Sequence, residues 1–151
     1  MRKQKGFSLI ELLIVVAIIL IIAAIAIPNL LRSRIAANEA SAVGSVRTIN
    51  TAEVTYASTY PDIGFAGLAS LGGAGGTSGG AGLLDSVLAA GIKSGYSFTV
   101  SVATGTPSVQ YSVEAEPQSP QTGQRRFYSD QSGVIRYNTS ATATASDNPL
   151  Q

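Results

Sequence analysis

A single carboxylate lies in an otherwise apolar stretch near the start of the chain. Glu11 falls within residues 7–27, FSLIELLIVVAIILIIAAIAI, where Ser8 is the only other polar residue. An acidic side chain inside a membrane costs about 2.5–3.5 kcal/mol on insertion scales and marks a functional site by default. The stretch holds no Lys or Arg that could pair with it. The carboxylate therefore either reaches the nearby lipid headgroups or meets a positive partner from another chain.

A positive partner would arise if the chain were cut between Gly6 and Phe7. The cut creates an α-amine at Phe7, four residues before Glu11. In a stack of identical helices, the carboxylate of one subunit can then meet the amine of its neighbour. Such a pair removes an uncompensated charge and fixes the axial register of the stack. The spacing thus predicts a role for Glu11 in the register of an assembly.

Other kinds of chemistry are poorly supported by the composition. The 151 residues include no Cys and no His, which excludes disulfides, thiol catalysis, thiolate or imidazole metal sites and His-based triads. A net charge of +1 argues against a protein that wraps nucleic acid. Glu114 and Glu116 share a strand face that is typical of a solvated sheet, while Arg125 and Arg126 point to opposite faces. We expect no enzyme, no cofactor and no metal site, and the sequence carries no strong signal for a nucleic-acid partner.

The element that positions Glu11 is a helix long enough to cross a membrane. Its twenty-one residues correspond to about 31 Å of helix, which matches the ~30 Å hydrocarbon core of a bilayer. The basic flank MRKQKG predicts a cytoplasmic N-terminus by the positive-inside rule. Ala24-Ile25-Ala26 also fits an ordinary secretory signal cleaved after Ala26. Glu11 and the helical pattern beyond the supposed cut both oppose that alternative.

The rest of the chain reads as a second helical half and a small sheet. Residues 7–28 form the transmembrane half of the helix, which Pro28 should kink, and residues 29–60 form an amphipathic half that ends before Pro61. Its apolar stripe leaves Arg34, Glu39, Arg47 and Asn50 for the polar side. Residues 61–138 then form a β head with a Gly-rich loop, and residues 139–151 form a flexible tail. Alternation predicts four antiparallel strands at 96–102, 109–116, 125–130 and 134–137, and a short helix is predicted at 83–90.

These segments together define an α+β fold class. The first half of a long N-terminal helix crosses a membrane, and its second half packs on a small antiparallel sheet. A head of about ninety residues buries little core by itself, so it needs the helix as a packing partner.

The N-terminus resembles a known family. A short basic leader that ends in Gly6, then Phe7-Ser8-Leu9-Ile10-Glu11-Leu12 and a long apolar helix, is similar to the prepilin N-terminus of type IV pilins and type II secretion pseudopilins. The resemblance is close over residues 3–28 and looser to about residue 60, and the predicted head also resembles the pilin fold. It implies that residues 1–6 are a leader peptide, cleaved after Gly6, and that Phe7 becomes N-methylated. It further implies the register role of Glu11, and Pro28 matches a proline of the family.

The resemblance implies a function and partners. The chain would be the major structural subunit of a type IV pilus that supports adhesion, motility or DNA uptake. Its partners would be further copies in a helical homopolymer, a prepilin peptidase/methyltransferase, and an inner-membrane assembly platform with an ATPase motor. It would stay in the bacterial inner membrane before assembly and reach the cell surface afterwards. The alternatives are a major pseudopilin of a type II secretion system and a secreted binding domain with an ordinary signal peptide.

Two features depart from the family pattern, and a third bears on the pseudopilin alternative. Leu20 stands where pilins with a broken helix often carry glycine, so helix melting in a filament is not implied here. Without Cys, the C-terminal region cannot be closed by the disulfide that many pilins have. Pseudopilin heads bind calcium, but Asp130 and Asp147 are too sparse for a site of about seven oxygens, and we expect turn capping instead.

Overall fold

The structure is a computed structural model that describes residues 6–150. Arg2, Lys3 and Lys5 of the predicted leader, and the last residue of the predicted tail, lie outside the described residues. The chain divides into two compact units, of which the first ends at Arg34 and the second begins at Ile35. The elements are α1 (Leu9–Thr59), α2 (Leu68–Leu71), α3 (Ser86–Ala89), β1 (Ile92–Lys93), β2 (Tyr96–Val102), β3 (Tyr111–Pro117), β4 (Arg126–Asp130), β5 (Arg136–Asn138) and β6 (Asn148–Pro149).

Helix α1 runs through Pro28 without a break in its secondary structure. It begins at Leu9 rather than at Phe7, and it ends at Thr59 as Pro61 predicts. The amide of Tyr60 still donates to the carbonyl of Tyr56 at 2.8 Å, which closes the last turn. Proline removes one backbone donor from the helix interior, and the kink expected at Pro28 stays a prediction.

The second unit is built on one antiparallel meander. Its six strands are hydrogen-bonded in the order β1-β2-β3-β4-β5-β6, so every neighbour in space is a neighbour in sequence. The alternation predicted four strands; the structure adds the two-residue strands β1 and β6 at the two edges. Two residues are too short to show alternation in the sequence. The predicted α+β fold class, with a long helix and an antiparallel sheet, is confirmed.

The core of this unit lies between the second half of α1 and one face of the sheet. Helix residues spaced three or four apart are buried against inward-facing strand residues that alternate along the chain. From the helix these include Ala42, Val46, Ile49, Ala52 and Tyr56; from the strands they include Tyr96, Phe98, Val113, Ala115 and Phe127. Every one of these side chains is at most 5% exposed. The sheet's other face carries the polar partners of the alternation, which leaves it free for solvent.

Two sets of hydrogen bonds order the connection between helix and sheet: the cap of α3 and a bond from α1 to the Gly-rich loop. Helix α3 starts at Ser86, later than predicted, because Asp85 caps it by accepting from the amides of Val87 at 3.1 Å and Leu88 at 2.9 Å. An N-cap residue has non-helical dihedrals, so the helix cannot extend back through it. Within the Gly-rich loop, the Tyr56 hydroxyl donates to the carbonyl of Ser78 at 2.7 Å.

The C-terminal tail differs from the flexible segment that was expected. Strand β6 pairs with β5, and the amide of Leu150 donates to the carbonyl of Ile135 at 2.7 Å. Asp147 accepts from the Thr144 amide at 2.7 Å and from the Asn138 side chain at 2.9 Å. Composition alone predicted mobility because a Ser/Thr-rich segment buries little apolar surface. Hydrogen bonds to the edge of the sheet therefore hold the tail in place, although it has little apolar surface to bury.

One glycine of the connection has no room for a side chain. Gly64 has a φ of +81°, and an added Cβ would overlap the carbonyl oxygen of Ser108 and lie 2.7 Å from its amide nitrogen. Gly64→Ala should therefore destabilise the second unit by about 2–4 kcal/mol, from steric overlap and left-handed strain. Urea unfolding of the full chain in detergent measures the effect. Gly79→Ala is the control, since Cβ there meets nothing within 4 Å. Equal stability of the two variants would contradict the packing described here.

Candidate assembly site in the N-terminal helix

The large apolar side chains of the first unit are uncovered. From Phe7 to Leu31 they are between 46% and 77% exposed in the single chain. Among the described residues, α1 is the one helix long and apolar enough to cross a membrane by length and composition. An apolar surface of this extent marks a membrane or protein interaction site. The exposed residues surround the helix, so lipid or several neighbouring helices can cover them.

The backbone around the predicted cleavage point is outside the helix. Gly6 and Phe7 are both exposed and precede the first helical residue, Leu9. No helical hydrogen bond has to break before the bond between them enters a protease active site. The geometry is therefore compatible with cleavage after Gly6 and with a modifying enzyme that reaches the amine of Phe7.

Glu11 has a local hydrogen-bond partner that carries no charge. The amide of Ser8 donates to the Oε2 atom of Glu11 at 2.8 Å. Ser followed by Glu three residues later is the capping-box spacing, in which the Glu side chain bonds back to the N-cap amide. The signal is present in the sequence as Ser8-Leu9-Ile10-Glu11, but it involves a backbone amide rather than a cation. A carboxylate in the first turn also interacts favourably with the helix dipole.

The capping bond leaves the second carboxylate oxygen available. The salt bridges found within residues 6–150 join Lys93 to Asp85 and Arg125 to Glu39, so Glu11 has no cation in this part of the single chain. One carboxylate can accept several hydrogen bonds at once. Glu11 can thus cap its own helix and still accept a further hydrogen bond through Oε1.

A second carboxylate of α1 holds the sheet rather than facing solvent. Glu39 was expected on the polar side of the helix, but it is 6% exposed. It accepts from the amides of Gln124 at 2.9 Å and Arg125 at 3.1 Å, and from the Nε atom of Arg125 at 2.7 Å. Burial alone would raise the pKa of Glu39, but these hydrogen bonds and the Arg125 charge hold it below its usual value. No sequence signal marks the contact, because its partners lie more than eighty residues away.

The remaining candidate residues do not converge on a reactive centre. Glu116 accepts from the hydroxyl of Thr142 at 2.6 Å, while Glu114 pairs in register with Tyr128 across the sheet. Asp130 accepts from the amide of Ser132 at 2.9 Å, as expected for turn capping. Within the described part of the chain, no three His, Cys, Asp or Glu residues are grouped so that they could hold a metal ion.

The two adjacent arginines differ in their contacts, and β4 begins at Arg126, one residue later than predicted, so Arg125 lies outside the strand. Arg125 pairs with Glu39, and its guanidinium lies 5.6 Å from the ring centre of Phe127 and 5.7 Å from that of Tyr137. Arg126 belongs to β4 and pairs in register with Asn138 of β5. The two side chains form no shared patch for a phosphate.

Comparisons with known proteins match the chain over limited parts of its length. The family model described as "Prokaryotic N-terminal methylation motif" matches residues 1–27. The type IV wide pilus major component PilA4 of Thermus thermophilus is 67% identical over 39 residues, 26% of this chain and 30% of that protein. The type IV major pilin protein PilA of Myxococcus xanthus is 42% identical over 71 residues, 42% of this chain and 32% of that protein. The chain thus spans about a third of the length of these curated relatives. No solved structure gave a significant match.

Proposed function

We propose that the chain is a type IV pilin and the major structural subunit of a type IV pilus, because its N-terminus matches the methylation-motif model and parts of the chain are similar to two pilins. The observation that carries this proposal is the uncovered apolar helix with one capped carboxylate at its start. A protein that worked as a monomer outside the membrane would bury such a surface. A subunit that moves between lipid and a helical bundle needs it exposed.

In the proposed assembly pathway, the same apolar helix moves from the membrane into the filament. The subunit waits in the inner membrane with its N-terminus in the cytoplasm, and a prepilin peptidase removes residues 1–6 and methylates Phe7. An inner-membrane platform driven by an ATPase then transfers the helix from lipid into the core of the filament. Apolar contact is kept on both sides of the transfer, so little hydrophobic free energy is lost. Head-to-tail contacts that do not close on themselves extend the assembly into an open helix.

Glu11 sets the axial register of the filament. Its free carboxylate oxygen accepts from the α-amine of Phe7 in a neighbouring copy, while its other oxygen keeps the bond to Ser8. An ion pair inside an apolar bundle is poorly screened, so a copy placed out of register leaves two buried charges unpaired. The proposed contact therefore penalises every axial offset except one.

The filament acts as a structural fibre rather than as an enzyme. Its surface consists of the heads, and it supports adhesion, motility or DNA uptake once it emerges from the cell. The names of the two relatives favour a pilus over a type II secretion pseudopilus. Micrometre-long surface fibres that disappear on gene deletion would support the pilus, whereas a secretion defect without fibres would support the pseudopilus.

Mass spectrometry of sheared surface fibres tests the processing steps directly. We expect a mature chain that begins at Phe7 with a methylated α-amine, because the bond after Gly6 is exposed and lies outside the helix. The matched control is the membrane fraction of cells that lack the prepilin peptidase, where the chain should retain residues 1–6. A soluble monomer that begins near Ile27 would contradict the proposal and indicate an ordinary secretory signal.

A further inference from the structure

A buried glutamate in the second half of α1 takes no part in the proposed assembly site. Glu53 is 0% exposed and packs inside the core between the helix and the sheet. Its Oε2 atom accepts from the amide of Ala66 at 3.0 Å. Its Oε1 atom is buried and has no hydrogen-bond partner among the described residues. A buried charge needs several partners to offset lost hydration, and here one backbone amide is the only one seen.

Ala66 belongs to the segment that closes this part of the core. Residues 61–67, here called the covering segment, connect the end of α1 to α2. The segment is held against the turn between β2 and β3, since Phe65 donates to the Ser108 carbonyl at 3.1 Å and Ser108 donates to the Ile63 carbonyl at 2.8 Å. The ring of Phe65 lies 4.6 Å from that of Tyr111. The hydrogen bond from the Ala66 amide to Glu53 therefore joins the covering segment to helix α1.

Within residues 6–150, the ionisable groups around Glu53 do not include a cation that could pair with its carboxylate. Tyr56 of α1 and Tyr111 of β3 are the ionisable groups that its charge affects, and burial raises the pKa of both, that of Tyr111 to about 12. Tyr60 acts in turn on Tyr56, and Asp130 of β4 acts on Tyr111. All four are neutral or negative, so none offers Glu53 a positive charge. The ionisable residue of the covering segment itself is Asp62, which is exposed.

The neighbouring polar side chains are also engaged elsewhere. The Tyr111 hydroxyl donates to Asn50 at 3.1 Å, and the Asn50 amide group donates to Ser129 at 2.8 Å. Burial raises the pKa of Glu53 to about 7, although the bond from Ala66 works in the opposite direction. A neutral carboxyl group costs less to bury here than a carboxylate, because it leaves no unpaired charge while Oε2 still accepts from Ala66.

We propose that Glu53 is a proton-dependent latch: its neutral form holds the covering segment on the head, and its ionisation releases that segment. The charged carboxylate can regain hydration only if the segment above it moves away. The heads lie outside the cytoplasm in the proposed function, so the pH of the surroundings would set how tightly this segment is held. The latch itself rests on contacts within the second unit and does not depend on filament formation.

The sign of the pH dependence follows from linkage. The pKa of Glu53 is raised in the folded protein from an ordinary value of 4.5 to about 7. Its contribution to stability is therefore fully present below about pH 4.5 and is lost as the pH rises through about 7. For an opening that exposes Glu53 to water, the opening constant should rise roughly thirty-fold between about pH 5.5 and about pH 8.5.

Nuclear magnetic resonance on the isotope-labelled full chain in detergent micelles tests the latch. We expect the Glu53 side-chain carboxyl carbon to titrate with a midpoint near 7, and the Ala66 amide to follow with the same midpoint. The exchange protection of the Ala66 amide, corrected for intrinsic exchange, should fall roughly thirty-fold across the pH range given above.

Two variants separate the latch from general effects of pH. Glu53→Gln keeps the shape and an acceptor for Ala66 but cannot ionise, so its protection should not change with pH. Asp62→Asn removes the exposed carboxylate of the covering segment and should leave the wild-type profile intact. A Glu53 midpoint near 4.5, or an equal loss of Ala66 protection in Glu53→Gln, would overturn the proposal. Because the wild-type titration is read directly, the test stands even if a variant fails to fold.

Discussion

Glu11→Ala is expected to abolish filaments while the subunit still inserts in the membrane and folds its head. The substitution removes the acceptor for the neighbour's α-amine and the capping bond from Ser8. A loss of about 1.4 kcal/mol per contact already weakens subunit addition tenfold, and the effect recurs at every subunit. Because the loss is repeated at every subunit, shearing and electron microscopy should detect no surface fibres. Membrane fractionation should show the same amount of inserted subunit as in the wild type.

Glu11→Gln distinguishes the two contacts of this side chain. Glutamine serves in a capping box as glutamate does, so the bond to the Ser8 amide is kept. It carries no charge, however, and cannot form an ion pair with an α-amine. If register depends on the charge, Glu11→Gln should lose filaments as Glu11→Ala does. Normal fibre yield from Glu11→Gln would refute the register role and leave helix capping as the function of this residue.

Glu39→Ala should cause a large loss of stability in the head. The substitution leaves the amides of Gln124 and Arg125 without their acceptor and removes the ion pair to Arg125. Each orphaned buried donor costs about 1–3 kcal/mol, while the partly exposed guanidinium can regain water. We expect a loss of about 2–4 kcal/mol in the free energy of unfolding, measured with urea on the full chain in detergent.

The control for Glu39 is a carboxylate that makes no such contact. Glu114 lies half-buried on the outer sheet face, with no hydrogen bond or ion pair found for its carboxylate within residues 6–150, so Glu114→Ala should change stability by less than about 0.5 kcal/mol. Glu39→Gln should fall between the two, since it keeps one acceptor oxygen and loses the charge. Similar unfolding curves for Glu39→Ala and Glu114→Ala would show that the contact between helix and sheet does not stabilise the head.

The depressed pKa of Glu39 also predicts an acid dependence. Its contribution to stability is present above the ordinary glutamate value of 4.5 and is lost as the pH falls through the lower value of the folded protein. Glu39→Gln should therefore lose less stability than the wild type when the medium is acidified below that point. This response is opposite in sign to the one expected for Glu53, which loses its contribution as the pH rises.

The features that the sequence could predict are those with local signals. The apolar run and the acid at Glu11 are contiguous, the helix stripe repeats every three to four residues, and the long strands alternate. Pro61 stops the helix through a steric effect on the residue before it. The capping bond between Ser8 and Glu11 was not predicted, although the spacing that signals it lies within four consecutive residues. Each of these features can be predicted because it depends on residues that are close in sequence and lie in the same helix or strand.

The chain by itself therefore determined the membrane-length helix, the acid at its start and the α+β class. Only the tertiary structure decided which glutamates of the helix's second half are buried, and with what consequence. Glu39 and Glu53 differ in their partners within residues 6–150: the first meets Arg125 and two amides, whereas the second meets the Ala66 amide alone. The tail likewise forms a strand because β6 pairs with β5 at the edge of the sheet. Pairings across long stretches of chain leave no periodic trace, because desolvation and hydrogen bonding depend on what packs opposite rather than on what comes next.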